Sequence, residues 1–286
     1  MFLDRNTWSG NKSVVGENYE MIDLHSHILP MVDDGASSLQ MSLDMARIAV
    51  DDGIEVMACT PHFMPGIYDN KSDDVRRRVD LLNHELLQNN INLSLVTGSD
   101  AHMRPDFLSC LRTGEILPIH NSRYVLFEPP HNLMPQRMND LLFHVIVAGY
   151  VPVLTHPERL KWIEQNYAFL GQLAKAGVWM QITAGSLTGR FGKRPQYWAK
   201  RMLADGIVSI LATDAHNTRS RPPLLAEGFE VAKAEVGLDE AMNLVVSRPE
   251  CILDDLPPES AAPLNFKDQI NSSSRSLLQR IAEVFS

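Results

Sequence analysis

The chain has 286 residues, with 26 Lys+Arg against 35 Asp+Glu and a formal charge of −9. Apolar residues make up 44% and charged residues 21%, the composition of a globular rather than a disordered chain. The acidic balance argues against a phosphate-tracking nucleic-acid binder, and the three scattered cysteines supply neither a disulfide framework nor a CxxC metal knuckle.

Residues 1–20 are polar and lack an apolar core, so they read as an added arm rather than a secretory signal. Beyond them, β-rich runs fall at 21–24, 55–59, 93–97, 124–127, 152–154, 179–182 and 208–212. Segments with helical spacing lie between and after them, at 37–51, 72–88, 105–111, 135–148, 163–176, 195–204 and 222–234. Ser37 and Ser38 offer caps for the first helix, whose Leu39, Leu43, Ala46 and Ala49 share one face. Gly53, Gly149, Gly177 and Gly206 stand where left-handed caps return helices to strands. Seven strand–helix units imply a parallel sheet clothed by helices, either closed as a barrel or open and doubly wound. The fingerprints GxGxxG and GxxxxGK(S/T) are absent, which weakens the open nucleotide-binding version.

The most apolar stretch, residues 145–154, is broken by Gly149 and Pro152 and is too short to span a bilayer. A cytoplasmic protein without an integral membrane segment is therefore expected. After Pro257 and Pro258 a Ser/Asn-rich linker leads to residues 274–285, where Leu277, Leu278, Ile281 and Val284 share a helical face. That face reads as a terminal helix docking on the domain, with a partner or a second copy of the chain as the alternative. The expected organisation is an arm at 1–20, a domain at 21–256 and a helical extension at 257–286.

The histidines gather at one place in this pattern. His25 and His27 end the first strand, and His62 follows the second. The third ends in Asp100, the fourth in Glu128, the fifth in His156 and the seventh in Asp214-Ala215-His216. Six of the seven strands thus deliver a His or carboxylate at the C-terminal end, where a parallel β/α array assembles its functional groups. Side chains two residues apart on a strand share a face, so His25/His27 and Asp214/His216 can each act as a clamp. Imidazole and carboxylate ligands without thiolates suit Mn, Fe, Zn or Co, and the number of candidates fits more than one ion. His84, His120, His131 and His144 fall outside the pattern and read as solvated or core residues, and His102 as a pocket-wall or supporting residue.

Four motifs carry a resemblance: MIDLHSHILPMVDDG at 21–35, THPER at 155–159, AGSLTGRFGK at 184–193 and ATDAHNTRSRPP at 212–223. Together they resemble the PHP superfamily and, within it, the bacterial tyrosine-protein phosphatases of the CpsB/CapC/YwqE type that act in capsule and exopolysaccharide control. The resemblance implies a distorted (β/α)7 TIM-like barrel with three divalent ions, manganese foremost and Fe, Zn, Co or Mg as alternatives. Carried over, His25, His27, Asp100 and Asp214 hold the first ion. Asp100, Glu128 and His156 hold the second, and Asp34, His62 and His216 the third. Arg159 and Arg221 fall where the family grips phosphate, and Asp34 is a candidate for further catalytic work. The implied partner is the phosphotyrosine tail of a bacterial tyrosine autokinase, and a homo-oligomer is compatible with it. One departure stands out: the family's bridging glutamate is Asp100 here, a reach shorter by about 1.3–1.5 Å.

A cysteine-based phosphatase loop needs Cys, five residues, then Arg. The sixth residues after Cys59, Cys110 and Cys251 are Pro65, Ile116 and Pro257, which excludes that loop. Arg190 and Lys193 are expected near the site mouth. Two other readings follow from the same residues: a small-molecule phosphatase resembling histidinol-phosphatase, or a phosphotyrosine-binding scaffold weakened by Asp100.

Overall fold

The computed structural model describes residues 20–267. The arm up to residue 19 and the amphipathic helix read at 274–285 lie outside the described residues. The described strands, in chain order, are β1 (Met21–Ser26), β2 (Ile54–Cys59), β3 (His62–Phe63), β4 (Ser94–Thr97), β5 (Asp100–His102), β6 (Tyr124–Glu128), β7 (Val151–Thr155), β8 (Trp179–Thr183) and β9 (Ile210–Ala212). The helices that matter below are α1 (Leu39–Asp51), α2 (Ser72–Gln88), α3 (Phe107–Thr113), α4 (Met138–Val147), α5 (Ile163–Lys175), α6 (Ala184–Leu187), α7 (Lys193–Ala204), α8 (Ala226–Val236), α9 (Leu238–Met242) and α10 (Arg248–Leu253). Ser38 caps α1 by accepting from Met41 N at 3.2 Å, and the four glycines expected to end helices all have left-handed φ, from 72° to 98°.

All strand pairs are parallel, in the orders β1-β2-β4 and β3-β5-β6-β7-β8-β9. The two sheets are one. Cys59 opposes Thr97 in the first and His62 opposes Asp100 in the second, with the same offset. β2/β3 and β4/β5 are therefore two strands, each interrupted for two residues. Pro61, in the first gap, has no N–H for the ladder. At the second gap a Cβ on Gly98 would come within 2.9 Å of Thr60 Cγ2, so the close approach needs glycine. The far edges also meet: Asp214 N donates to His25 O and His27 N to Ala215 O, both at 2.8 Å. The result is the closed barrel of seven strands, two of which resume, as β3 and β5, beyond the ends of the runs read at 55–59 and 93–97.

Inside the barrel, Ile22, Leu24, Val56, Ala58, Tyr124, Leu126, Val151, Val153, Trp179 and Ile210 form a buried apolar layer. The alternate residues, among them Met57, Phe127, Leu154, Met180 and Leu211, face outward into the larger core under the helices. The stretch from 257 to 267, read as the start of a linker, lies against the barrel. Arg248, buried to 1% exposure, donates to Ala262 O at 3.0 Å and Pro263 O at 3.2 Å. Its guanidinium also pairs with Glu240 Oε1 at 2.8 Å. Five fixed donors on a buried cation need acceptors, and these backbone carbonyls supply them. Among the described residues no helix is long and apolar enough to cross a membrane.

Candidate metal centre

The apolar layer ends where the polar one begins. Along β6, Tyr124 and Leu126 face the interior and Glu128 follows at the same two-residue spacing. β1 reaches this layer by a different device. Between Asp23 and Ser26 it has one residue more than β2 has between Met57 and Cys59. This bulge switches the alternation, so His25 and His27 continue the inward face of Ile22 and Leu24. His156 and Asp214, just past β7 and β9, have φ of 35° and 51°, left-handed values that aim non-glycine side chains at a cost in strain. The loop after β1 folds back on His27, with Ala36 N donating to His27 O at 3.0 Å. A Cβ on Gly35 would lie 2.1 Å from that carbonyl oxygen, so only glycine permits the turn that carries Asp33 and Asp34 to the site.

All nine ligands implied by the family motifs converge. His27, Asp34, His62 and His216 bring ligand atoms within 4.8 Å of one another, as do His25, His27 and Asp100. The same holds for His25, His156 and Asp214, and for His62, Asp100 and Glu128. His25 Nε2 stands 3.5 Å from Asp100 Oδ2 and 3.4 Å from Asp214 Oδ1. His62 reaches Asp100 Oδ2 and Glu128 Oε2 through Nδ1, each at 3.4 Å, and Asp34 through Nε2 at 3.5 Å. These separations exceed a hydrogen bond and suit donors that share a cation between them.

The supporting contacts are shorter. Asp33 Oδ2 lies 2.7 Å from His27 Nδ1 and accepts from His62 N at 3.0 Å, while its Oδ1 accepts from Gly35 N at 2.9 Å. Gln181 Oε1 meets His25 Nδ1 at 2.9 Å. These partners fix which nitrogen of each ring faces the centre, as ligand histidines require. Asp23 ties β1 to the end of β9 by accepting from Thr213 N at 3.0 Å and from the Thr213 hydroxyl. Arg159 and Arg221 both donate to Asp214 Oδ2, Arg221 at 2.5 Å. The Phe191 ring underlies both, 4.6 Å from the Arg159 guanidinium carbon and 5.8 Å from that of Arg221.

The electrostatics are those of a cation site. Burial alone would strip the proton from His25, but Asp214 and Asp100 beside it push its pKa up to about 9. His62 rises to about 10 against the same burial, through Asp100 and Glu128. Burial works to raise Asp100 as well, yet His25 and His62 hold it well below the usual carboxylate range. Glu128 is opposed by burial and by Asp100 but falls to about 2 beside His102, His131 and His156. His156 and His216 are pushed the other way, chiefly by burial, and His216 falls to about 4. The carboxylates are thus ionised at neutral pH and two imidazoles are neutral, the protonation states that ligands need.

Buried donor atoms without hydrogen-bond partners include His62 Nδ1, both Asp100 oxygens, His156 Nδ1 and His216 Nε2. Orphaned groups of this kind cost free energy unless something binds them, and divalent cations fit the set. A cavity of about 500 Å³ opens above them, lined by Tyr68, His131, Leu133, Arg159 and Arg221 among others.

Sequence spacing missed four contributors. Asp33 was hidden beside Asp34, and Gln181 belongs to β8, the one strand without a terminal His or carboxylate. Phe191 lay in a motif read for Arg190, which instead pairs with Glu227 at 3.2 Å. His131, read as a solvated or core histidine, stands 3.3 Å from Glu128 Oε1. Its place three residues beyond Glu128 was the available signal. The three cysteines are buried, and burial pushes the Cys59 thiol far up, consistent with the exclusion of a thiolate nucleophile.

A family model described as capsular polysaccharide synthesis, CpsB/CapC, matches residues 21–254. Tyrosine-protein phosphatase YwqE of Bacillus subtilis is 36% identical over 233 residues, 82% of this chain and 91% of that protein. Tyrosine-protein phosphatase CpsB of Streptococcus agalactiae is 26% identical over 242 residues, 82% of this chain and 98% of that one. A crystal structure from work on YwqE of Bacillus subtilis and CpsB of Streptococcus pneumoniae, described as metal-dependent tyrosine phosphatases, superposes with a TM-score of 0.82 at 33% identity. It covers 86% of this chain and 99% of its own. A TatD-family hydrolase from Entamoeba histolytica, at a TM-score of 0.51 and 12% identity, shares the fold alone.

Proposed function

The chain belongs to the CpsB/CapC family of capsular polysaccharide synthesis, and from that premise we infer that it is a metal-dependent tyrosine-protein phosphatase. The observation that carries the reading is the convergence of all nine motif ligands, with orphaned buried donor atoms, beneath a cavity that also holds two arginines. We read three divalent ions there, manganese foremost, on the ligand sets the motifs imply. The His25/His27/Asp100 cluster lies within the first set and Asp34/His62/His216 recur together for the third, with His27 beside them, while His62/Asp100/Glu128 joins ligands of the second and third.

A phosphomonoester dianion hydrolyses extremely slowly unaided, so its site must neutralise charge and supply a nucleophile. Bound divalent ions supply Lewis acidity toward the phosphoryl oxygens and make water a nucleophile at neutral pH. The chain's own residues do the rest. Arg159 and Arg221, braced on Phe191, offer donors to the equatorial oxygens where negative charge develops. Asp214 now occupies both guanidinium groups and keeps them aimed into the cavity. Tyr68, Met64 and Leu133 line the cavity and can take the apolar ring of the substrate. The leaving phenolate, with a pKa of about 10, needs less proton donation than an alkoxide.

Residues 21–256 are read as the catalytic domain, a division that the family match over 21–254 supports. The substrate is read as the phosphotyrosine tail of a bacterial tyrosine autokinase in the cytoplasm, a location that the three buried free thiols fit. The test is a substrate panel. With Mn²⁺, a phosphotyrosine peptide should be hydrolysed well above a phosphoserine peptide and histidinol phosphate, and a chelator should abolish release. Preference for histidinol phosphate, or turnover indifferent to chelation, contradicts the proposal.

A further inference from the structure

The Glu128 carboxylate is ringed by imidazoles. Its Oε1 lies 3.3 Å from His131 Nε2 and 3.8 Å from His156 Nε2, and its Oε2 lies 3.4 Å from His62 Nδ1 and 3.5 Å from His102 Nδ1. The motifs mark neither His102 nor His131 as a ligand, and of the two only His131 gathers with Glu128 and His156. Its position is built rather than incidental. The segment Glu128-Pro129-Pro130-His131 leaves β6 with two prolines that restrict its backbone. It is fastened at two points to the chain just after His156: Trp162 Nε1 donates to Pro130 O at 2.9 Å and Lys161 N donates to His131 O at 2.9 Å. The His131 ring is thereby set edge-on to His156, with centroids 4.9 Å apart. Its Nε2 is buried and has no hydrogen-bond partner.

Glu128, His131 and His156 bring one ligand atom each within 4.8 Å of one another. On the set the motifs imply, this ion shares Asp100 with the first, and the Asp100 contacts lie toward His25 and His62, so Glu128 and His156 are the only two ligands it has to itself. We propose that His131 is the third, so that a divalent cation here is bound by two imidazoles and one carboxylate. This rests on the metal-dependent reading above. Such a set favours Zn, Mn, Fe or Co over Mg or Ca and leaves coordination positions open toward the cavity. It also lessens what is asked of the short Asp100, whose contacts lie toward His25 and His62.

The experiment titrates metal-free full-length protein with Mn²⁺ and with Zn²⁺ by calorimetry, comparing wild type, His131→Ala, His131→Gln and the exposed control His144→Ala. Circular dichroism checks the fold of each. Glutamine can still donate a hydrogen bond to Glu128 but is a poor ligand for these metals. Both His131 variants should lose about tenfold or more in affinity for one ion, with the others unchanged and His144→Ala indistinguishable from wild type. Superimposable isotherms for His131→Ala and wild type would overturn the inference, as would full rescue by glutamine, which would make His131 a positioning residue. A wild type that binds no cation would overturn the metal-dependent reading as well, which separates the two failures.

Discussion

Asp33 is the most informative side chain to remove, because it touches the site only through other residues. Its carboxylate is almost fully buried and holds three groups: the His27 ring at 2.7 Å, His62 N at 3.0 Å and Gly35 N at 2.9 Å. Asp33→Ala orphans all three. The charge-assisted bond to His27 is worth about 1.5–3 kcal/mol and each backbone bond about 1 kcal/mol, so a loss of about 3 kcal/mol in stability is expected after partial relaxation. The metal effect is separate. Without Asp33 the His27 ring can rotate or change tautomer, and loss of such an orienting partner lowers metal affinity by about 10–100-fold. Asp33→Asn retains one acceptor but turns a donor toward another donor, so it should recover only part of either effect. The sign with pH also follows. The His27 charge and the hydrogen bonds depress the Asp33 pKa below 3.8 against its burial. Its share of stability is therefore present above the unfolded value and lost as pH falls through the folded one. Thermal unfolding of metal-free protein between pH 2 and 8, with Mn²⁺ titration at pH 7.5, measures both quantities. Wild-type metal affinity in Asp33→Ala would refute the claim that this carboxylate sets the His27 ring.

Three further outcomes are expected. Phe191→Ala removes a platform worth about 0.5–1 kcal/mol per arginine, so kcat/KM on a phosphotyrosine peptide should fall about 5–30-fold with metal content unchanged; an unaltered kcat/KM would show that Arg159 and Arg221 need no brace. His25 and His62, raised to about 9 and about 10, are protonated at pH 7.5 in the metal-free protein, so metal uptake should release up to two protons and tighten as pH rises toward those values. Calorimetry in buffers of different ionisation enthalpy counts them, and uptake without proton release contradicts the assignment. Cys59→Ala, at a buried thiol, should cost about 1 kcal/mol in stability and leave turnover intact, and loss of activity in a folded variant would reopen a thiol mechanism.

The convergence of the candidate ligands was legible in the sequence because most of them sit at strand ends, where alternation and chain order determine position. Glu128 needed only the two-residue rhythm of β6. The parts that sequence did not disclose depend on departures from that rhythm. The bulge in β1 that turns His25 and His27 inward leaves no mark in hydropathy. The breaks after β2 and β4 depend on the meeting of Thr60, Pro61 and Gly98 across strands, a tertiary fact. His131 and Phe191 act from loops, whose paths are set by contacts such as Trp162 to Pro130 rather than by local propensity. The scaffold reading prompted by Asp100 finds little support, since that carboxylate, though shorter, is buried among His25 and His62 with both oxygens available.

The central claim joins the buried His/Asp/Glu clusters to phosphotyrosine hydrolysis. Its most direct test measures metal content per chain and phosphate release from a phosphotyrosine peptide on the same samples, across graded reloading with Mn²⁺. The account predicts no turnover in the metal-free protein, activity that rises with occupancy to about three ions per chain, and neither full loading nor activity in His25→Ala/His27→Ala. Full activity in metal-free protein, or in that double variant, would contradict it.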